Sequence, residues 1–168
     1  MTDKSLQQLV TQIIDRDKWR DILNRFVDVL KINVFLVDFE GRVIIPPVNA
    51  RHGWIFFEKH CLKIDSVSGK IDIRLKFVPS ENYLECQCPS GLQAAAVPVN
   101  VEAKTIGYLI VGPTILDRKE ENAFYQQTAE KLKFDPKEFN DAVGEVRVVS
   151  RLTLKSILDL LSEVARDV

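Results

Sequence analysis

The chain has 168 residues, a length that fits one domain, or one domain with an additional helix. Hydrophobic residues make up 46% of it and charged residues 28%, so it can form a core and keep a solvated surface. The net charge of −1 shows no basic excess, and direct nucleic-acid binding is therefore not expected.

The N-terminal segment, residues 1–30, is expected to be helical. It contains no signal-peptide core, and no apolar run in the chain approaches the roughly 20 residues of a membrane span. We therefore expect a cytoplasmic location without membrane contact.

Ser5 with Gln8 resembles a capping box for a first helix, and Asp17 is a candidate cap for a second. Residues 15–17 either separate the two helices or bend one. The apolar positions repeat at helical spacing: Leu6, Leu9, Val10, Ile13 and Ile14, then Trp19, Ile22, Leu23, Phe26, Val27 and Leu30.

Strand patterns begin after this segment. Residues 33–38 and 43–47 are typical of two strands joined by a turn, in which Gly41 supplies a positive φ. Residues 51–64 are rich in aromatic side chains and predict a short helix with a flanking loop. Residues 71–77 alternate apolar and charged side chains, which predicts a half-buried strand.

The segment from Cys86 to Pro113 predicts the centre of a sheet. A turn at residues 88–92 leads into an apolar strand that includes residues 97–99, and Thr105 begins a second strand that the Gly112-Pro113 pair is expected to end. Together with the earlier strands, this predicts an antiparallel sheet of about five strands. Residues 31–149 are expected to form one sensor-like core.

Helical patterns return after residue 113. Pro136 is suited to the first turn of one helix, and Ser150 to the N-cap of a last helix, residues 150–168. In that helix a stripe follows the 4-3-4-3 spacing of a coiled-coil seam: Leu154, Leu158, Leu161, Ala165 and Val168. The stripe can cover one face of the sheet or pair with a second copy. We expect a mixture of both roles and a homodimer, in which the last helix joins the dimer interface or transmits a signal.

The order of these motifs resembles a known family. Helices on both sides of strand, turn, strand, a helical excursion and three further strands give the order of a PAS-like sensor domain, an α+β fold. Within that class the chain resembles the PocR ligand-binding domain from about residue 19 to the end. The resemblance is carried by Trp19, Phe26, Val37-Asp38-x-x-Gly41, Cys61, Cys88-x-x-Gly91-Leu92, Val97-Pro98-Val99, Ile106-Gly107-Tyr108-Leu109 with Gly112, and Val148-Val149-Ser150. The chain departs from the family pattern in a short segment after Cys61 and in the additional Cys86.

The resemblance implies a sensory module that binds a small organic molecule, such as a diol or a hydrocarbon derivative, and acts on a histidine kinase or a transcription regulator in the same or another chain. We expect the ligand between the sheet and the aromatic helical region, because small-molecule sites are mostly apolar with a few polar groups. Alternatively, the aromatic residues only form core. The candidate ligand-binding residues are Trp54, Phe57, His60, Cys61, Tyr83, Cys86, Cys88 and Gly91.

The cysteines leave a second function open. An odd number, three, without an export signal predicts free thiols and not a disulfide framework. Such thiols are structural or line the pocket, in which case no cofactor is expected. Alternatively, all three thiols hold a metal such as zinc, with His60 or His52 as a fourth ligand, or part of an iron–sulfur cluster or haem. Redox sensing by the thiols themselves is a third alternative.

Enzyme signatures are missing from the sequence. It contains no Gly-rich phosphate loop, no Gly-x-Ser-x-Gly elbow and no His-Glu-x-x-His motif, and its two histidines leave few acid–base options. Catalysis is therefore not expected. A third hypothesis is a scaffold whose sheet only displays the terminal helices for dimerisation.

Overall fold

A computed structural model of the chain describes residue 8 and residues 14–47, 53–63, 69–71, 77–80 and 82–166. The helices in these ranges are α1 (Arg16–Leu30), α2 (Trp54–Phe57), α3 (Asn122–Leu132), α4 (Pro136–Glu145) and α5 (Arg151–Arg166), with a π-helix (Glu58–Leu62) directly after α2. The strands are β1 (Val34–Asp38), β2 (Val43–Ile45), β3 (Val78–Ser80), β4 (Tyr83–Gln87), β5 (Gln93–Val101), β6 (Lys104–Leu116) and β7 (Val148–Val149). Most of the predicted first helix and of the predicted strand at residues 71–77 lies outside the described residues. None of the helices described is long and apolar enough to cross a membrane.

The strands form one sheet in the order β2-β1-β6-β5-β4-β3, with antiparallel pairing throughout this path. β7 adds a parallel pair at the end of β6. The expected PAS-like α+β architecture, an antiparallel sheet flanked by terminal helices, is confirmed. The strand count exceeds the predicted value of about five, because β3, β4 and β7 join the sheet without a clear alternating pattern in the sequence.

The long strand β6 does not end at Gly112-Pro113, where the sequence predicted its end, but runs to Leu116. Gly112 has a φ of 151°, and a Cβ placed there would lie 2.8 Å from Ala94 Cβ and 3.0 Å from the Gln93 carbonyl oxygen. The register between β5 and β6 shifts at this place. The glycine therefore allows a close approach of two backbones at an irregularity in the ladder, and the strand continues beyond it.

Each face of the sheet carries its own core. The internal-helix face is covered by α2, the π-helix, α3 and α4, and its strand residues include Phe35, Val37, Ala94, Ala96 and Ile110. The terminal-helix face is covered by α1 and α5, and its strand residues include Val34, Leu36, Ala95, Val97, Leu109 and Val111. Successive residues of β1, β5 and β6 thus alternate between the two cores, as the pleat of a strand requires. A single layer of strands separates the two groups of helices.

The first turns of the terminal helices show which residues cap them. Asp15, and not Asp17 as predicted, caps α1, because its Oδ1 accepts the Lys18 backbone N–H at 3.1 Å. Asp17 lies in the first turn of the helix, where its carboxylate interacts favourably with the helix dipole. The predicted cap of α5 is confirmed, since the Thr153 N–H donates to Ser150 Oγ at 3.0 Å.

The apolar stripe of α5 packs inside the chain. Its residues Leu154, Leu158, Leu161 and Ala165 are buried in the core of the terminal-helix face, where α5 contacts β5. The stripe with the spacing of a coiled-coil seam therefore covers one face of the sheet, which is the first of the two roles considered for it. The remaining surface of α5 carries Leu152 and Leu160, which are 76% and 50% exposed.

Candidate ligand-sensing site

The candidate site lies on the internal-helix face, where α2 and the π-helix cross the sheet. Gly53 precedes α2 with a φ of 76°, and a Cβ placed there would lie 2.8 Å from Val146 Cγ2. The Gly53 N–H donates to Glu145 Oε2 at 3.0 Å. The start of α2 is therefore fixed to the end of α4 through contacts that only a glycine leaves room for.

Two of the predicted site residues, Trp54 and Phe57, lie in the core beneath these helices. The Trp54 ring packs edge-to-face on Phe35 of β1, with 4.6 Å between ring centroids, and its centroid lies 6.2 Å from that of Phe57. Both side chains are buried. A ligand that contacts them must therefore enter or displace part of this core, and Phe35 would carry such a change into the sheet.

A disulfide joins Cys61 of the π-helix to Cys88 of the turn before β5, with 5.8 Å between the Cα atoms. The prediction of free thiols is therefore wrong for these two residues. They are 27 residues apart in the chain, and their contact depends on the packing of the π-helix on the turn, which sequence spacing does not reveal. Cys86 lies outside this pair and is buried in the same core.

The turn at residues 88–92 is held by its own hydrogen bonds. The Gly91 N–H donates to the Cys88 carbonyl at 3.0 Å, and the Cys88 N–H donates to the Leu92 carbonyl at 3.1 Å. Gly91 has a φ of 85° and is exposed beside the Phe124 ring. Ser90, which the sequence analysis did not select, is fully buried, and its Oγ lies 3.5 Å from Cys61 Sγ. The turn thus presents a hydroxyl to the disulfide.

His60 lies in a group of aromatic rings beside the π-helix. Its ring centroid is 4.5 Å from that of Phe56 and 4.7 Å from that of Phe134, and its Nε2 lies 3.8 Å from Glu138 Oε1. Phe134 and Glu138 belong to the loop before α4 and to α4 itself, and the sequence analysis missed both. His60 therefore faces aromatic rings and a carboxylate, and not the cysteines.

The described residues contain no group of three or more His, Cys, Asp or Glu side chains that could hold a metal ion. Cys61 and Cys88 are bonded to each other, and His60 is directed at Glu138. The geometry of the described residues therefore does not support the alternative of a three-cysteine metal site. His52, the other proposed ligand, lies outside the described residues.

Tyr83 is separated from the other predicted site residues. It packs against the core of the terminal-helix face, whereas Leu84 and Cys86 of the same strand contact the internal-helix core. Positions 83 and 86 differ by an odd number, so an extended strand places them on opposite faces. Parity would have separated the two positions in the sequence only if this segment had been predicted as a strand.

A polar groove opens between α3 and α4, next to the aromatic group. It encloses about 580 Å³, and its lining includes Gln126, Asn140 and Lys119 together with Tyr125 and Val143. The last two also belong to the internal-helix core. Through Tyr125 and Val143 the lining of the groove adjoins the core of the internal-helix face. No local pattern in the sequence predicted this groove.

The sheet and its two groups of helices define a PAS-like sensor fold, and the family comparison agrees with that class. Residues 12–168 match the model of the family described as "Sensory domain found in PocR". The match covers nearly the whole chain, and the chain belongs to this family. No curated protein and no solved structure gave a significant match.

Proposed function

We propose that this sensory domain binds a small organic molecule, such as a diol or a hydrocarbon derivative, on the internal-helix face and passes the signal to its terminal helices. The observation that carries the proposal is the separation of the candidate site from α1 and α5 by a single layer of strands. Phe35 contacts Trp54, while its neighbour Leu36 packs under the terminal helices. A displacement of β1 by a ligand would therefore be felt on both faces.

A second route connects the two faces through β7. Val146, at the end of α4, belongs to the internal-helix core, and Val149, three positions later, belongs to the terminal-helix core. The Asp117 N–H, at the end of β6, donates to the Val149 carbonyl at 2.7 Å, and Asp117 Oδ1 accepts the Arg151 N–H at 3.2 Å. A shift of α4 therefore reaches the first turn of α5 through the segment from Val146 to Val149 and the hydrogen bonds of Asp117.

The same junction also contacts α1. Arg147 Nη1 donates to the carbonyl oxygen of Leu30, the last residue of α1. A cation at the C-terminus of a helix donates a hydrogen bond to a terminal carbonyl and interacts favourably with the helix dipole. Both terminal helices are thus linked to the segment between α4 and β7, which supports a signal that leaves through them.

The proposal extends to partners and location. We propose that the chain forms a cytoplasmic homodimer, which acts on a histidine kinase or a transcription regulator and has no catalytic activity of its own. This role agrees with the family and with the composition. Because the stripe of α5 is buried, a dimer contact would use the exposed apolar residues of the terminal helices, which include Val29, Leu152 and Leu160. Gel filtration combined with light scattering of wild type and Leu160→Glu tests this part.

Thermal unfolding with a panel of ethanediol, propanediols and butanediols tests ligand binding. A diol at 100 times its dissociation constant stabilises the folded state by about 2.7 kcal/mol, which for a domain of this size raises Tm by about 5–11 °C. The two tryptophans offer a matched pair of variants, since Trp54 and Trp19 are both buried but lie in opposite cores.

We expect Trp54→Phe to reduce the diol-induced shift and Trp19→Phe to preserve it. Trp19→Phe also leaves Trp54 as the only tryptophan, so its fluorescence should change on binding. A panel in which no diol shifts Tm contradicts the assigned ligand class. An equal loss of the shift in both variants contradicts the assigned face.

A further inference from the structure

We propose that the Cys61–Cys88 disulfide is a thiol–disulfide exchange site, which a dithiol opens by attack on the sulfur of Cys88. This would add a redox input to the proposed ligand sensing. The two cysteines are not equally exposed in the fold. Cys88 is partly exposed on a turn whose neighbours Pro89 and Gly91 are exposed, whereas Cys61 is only 7% exposed. Exchange rates depend on access to the attacked sulfur, which favours Cys88.

The surroundings of Cys61 suit a leaving thiolate. Ser90 is fully buried, and its Oγ accepts the Leu92 N–H at 3.3 Å while it lies 3.5 Å from Cys61 Sγ. The hydroxyl hydrogen of Ser90 can therefore be directed at the sulfur. A hydroxyl donor stabilises a thiolate that forms in a buried place, because a buried charge without a partner is costly.

The exchange reaction consists of two displacements. A thiolate of the dithiol attacks Cys88 Sγ and forms a mixed disulfide, and the Cys61–Cys88 bond breaks with its electron pair on Cys61 Sγ, which then takes a proton. The second thiol, as its thiolate, attacks the sulfur of the reagent in the mixed disulfide, closes the reagent's own disulfide and releases Cys88 as a thiolate that is protonated. Two electrons and two protons pass to the protein, and a small disulfide such as oxidised glutathione reverses the reaction.

Opening this bond would change the internal-helix face. The disulfide attaches the π-helix to the turn at residues 88–92, and the buried residues Leu62 and Leu92 lie next to its two ends. The turn keeps its own backbone hydrogen bonds when the disulfide opens. The π-helix loses a covalent anchor, and π-helical turns are an irregular conformation often found at functional sites. In a reducing compartment such as the one proposed above, disulfides are usually transient or redox-sensing.

Differential alkylation and mass spectrometry of the wild-type chain form the first test. We expect the Cys61–Cys88 peptide pair after treatment with oxidised glutathione, its loss in dithiothreitol and its return on reoxidation. Hydrogen exchange at residues 58–62 should be at least tenfold faster in the reduced protein, with the exchange of the turn at residues 102–103 as an internal reference. A chain in which the pair never forms, or in which exchange at 58–62 is the same in both states, overturns the proposal.

Reaction rates of single thiols form the second test, in a Cys86→Ala background that removes the third thiol. With Cys61→Ala added, the Cys88 thiol should react with an aromatic disulfide reagent at least tenfold faster than the Cys61 thiol does with Cys88→Ala added. Equal or reversed rates contradict attack at Cys88. Because the first test needs no variant, it decides whether the disulfide opens and closes by exchange even if a variant fails to fold. Neither test uses a diol, so failure of the ligand proposal leaves this result unaffected.

Discussion

The close contact of β6 with β1 at Gly107 predicts a large effect of a single methyl group. A Cβ placed on Gly107 would fall well inside van der Waals distance of the Val37 carbonyl oxygen and lie 3.5 Å from Asp38 Cα. Gly107 is paired with Asp38 on one side and with Val99 on the other, so the backbone cannot move away freely. Overpacking typically costs about 1–3 kcal/mol. We place Gly107→Ala near the upper value, because the methyl group would clash with the backbone of β1 and the pairing on both sides keeps β6 from moving away.

Thermal or urea unfolding measures this effect. A loss of about 3 kcal/mol lowers the Tm of a domain of this size by about 6–12 °C. Gly144→Ala is the matched control, because a Cβ on Gly144 meets no atom within 4 Å and the residue is exposed in α4. In a helix, alanine is more favourable than glycine by up to about 1 kcal/mol, so the control should be neutral or stabilised.

The two glycine variants together test whether β6 and β1 are in close backbone contact at Gly107. If Gly107→Ala unfolds within about 2 °C of wild type, a shift worth no more than about 1 kcal/mol, then β6 and β1 are not in the contact described. An equal loss of stability in both variants would mean that the methyl group acts through something other than that contact.

Three further substitutions and one treatment have effects that follow from the structure. Asp38→Ala should cost about 1.5–3 kcal/mol in urea unfolding, because the Asp38 carboxylate accepts two backbone N–H bonds of 2.9 Å in the β1–β2 turn; an unchanged midpoint would contradict this role. Leu161→Ala should cost about 2–5 kcal/mol and Leu160→Ala less than about 0.5 kcal/mol, since Leu161 is fully buried and Leu160 is 50% exposed; the reverse order would show that the α5 stripe faces outward. Reduction of Cys61–Cys88 should lower stability by about 3.5 kcal/mol for a separation of 27 residues, and calorimetry of the oxidised and reduced forms with equal Tm values would exclude a constraint of this size.

The sequence was sufficient to predict those parts of the structure that depend on a local pattern of residues. The first hairpin, the central β5–β6 pair and the cap of α5 at Ser150 were all predicted, because alternation, turn residues and a capping side chain act over a few positions. The sensor class followed from the order of these elements. β3, β4 and β7 were missed, since strands of two to five residues in the described ranges leave too few positions for a pattern to show.

The candidate site was harder to predict, because its contacts join distant segments. The Cys61–Cys88 bond and the approach of His60 to Glu138 depend on how the π-helix packs, and neither pair has a spacing that identifies it. The position of Tyr83 on the terminal-helix face also depended on an element that was missed, because parity separates positions 83 and 86 only once β4 is known to be a strand.

Hydrogen exchange of the wild-type chain, with and without the diol of the panel that raises Tm most, tests the transfer of a signal across the sheet. We expect slower exchange in α2 and the π-helix and, in the same sample, altered exchange in β7 and the first turn of α5, with the turn between β5 and β6 at residues 102–103 as a reference. Protection confined to the internal-helix face, with β7 and α5 unchanged, would contradict the transfer of a signal across the sheet.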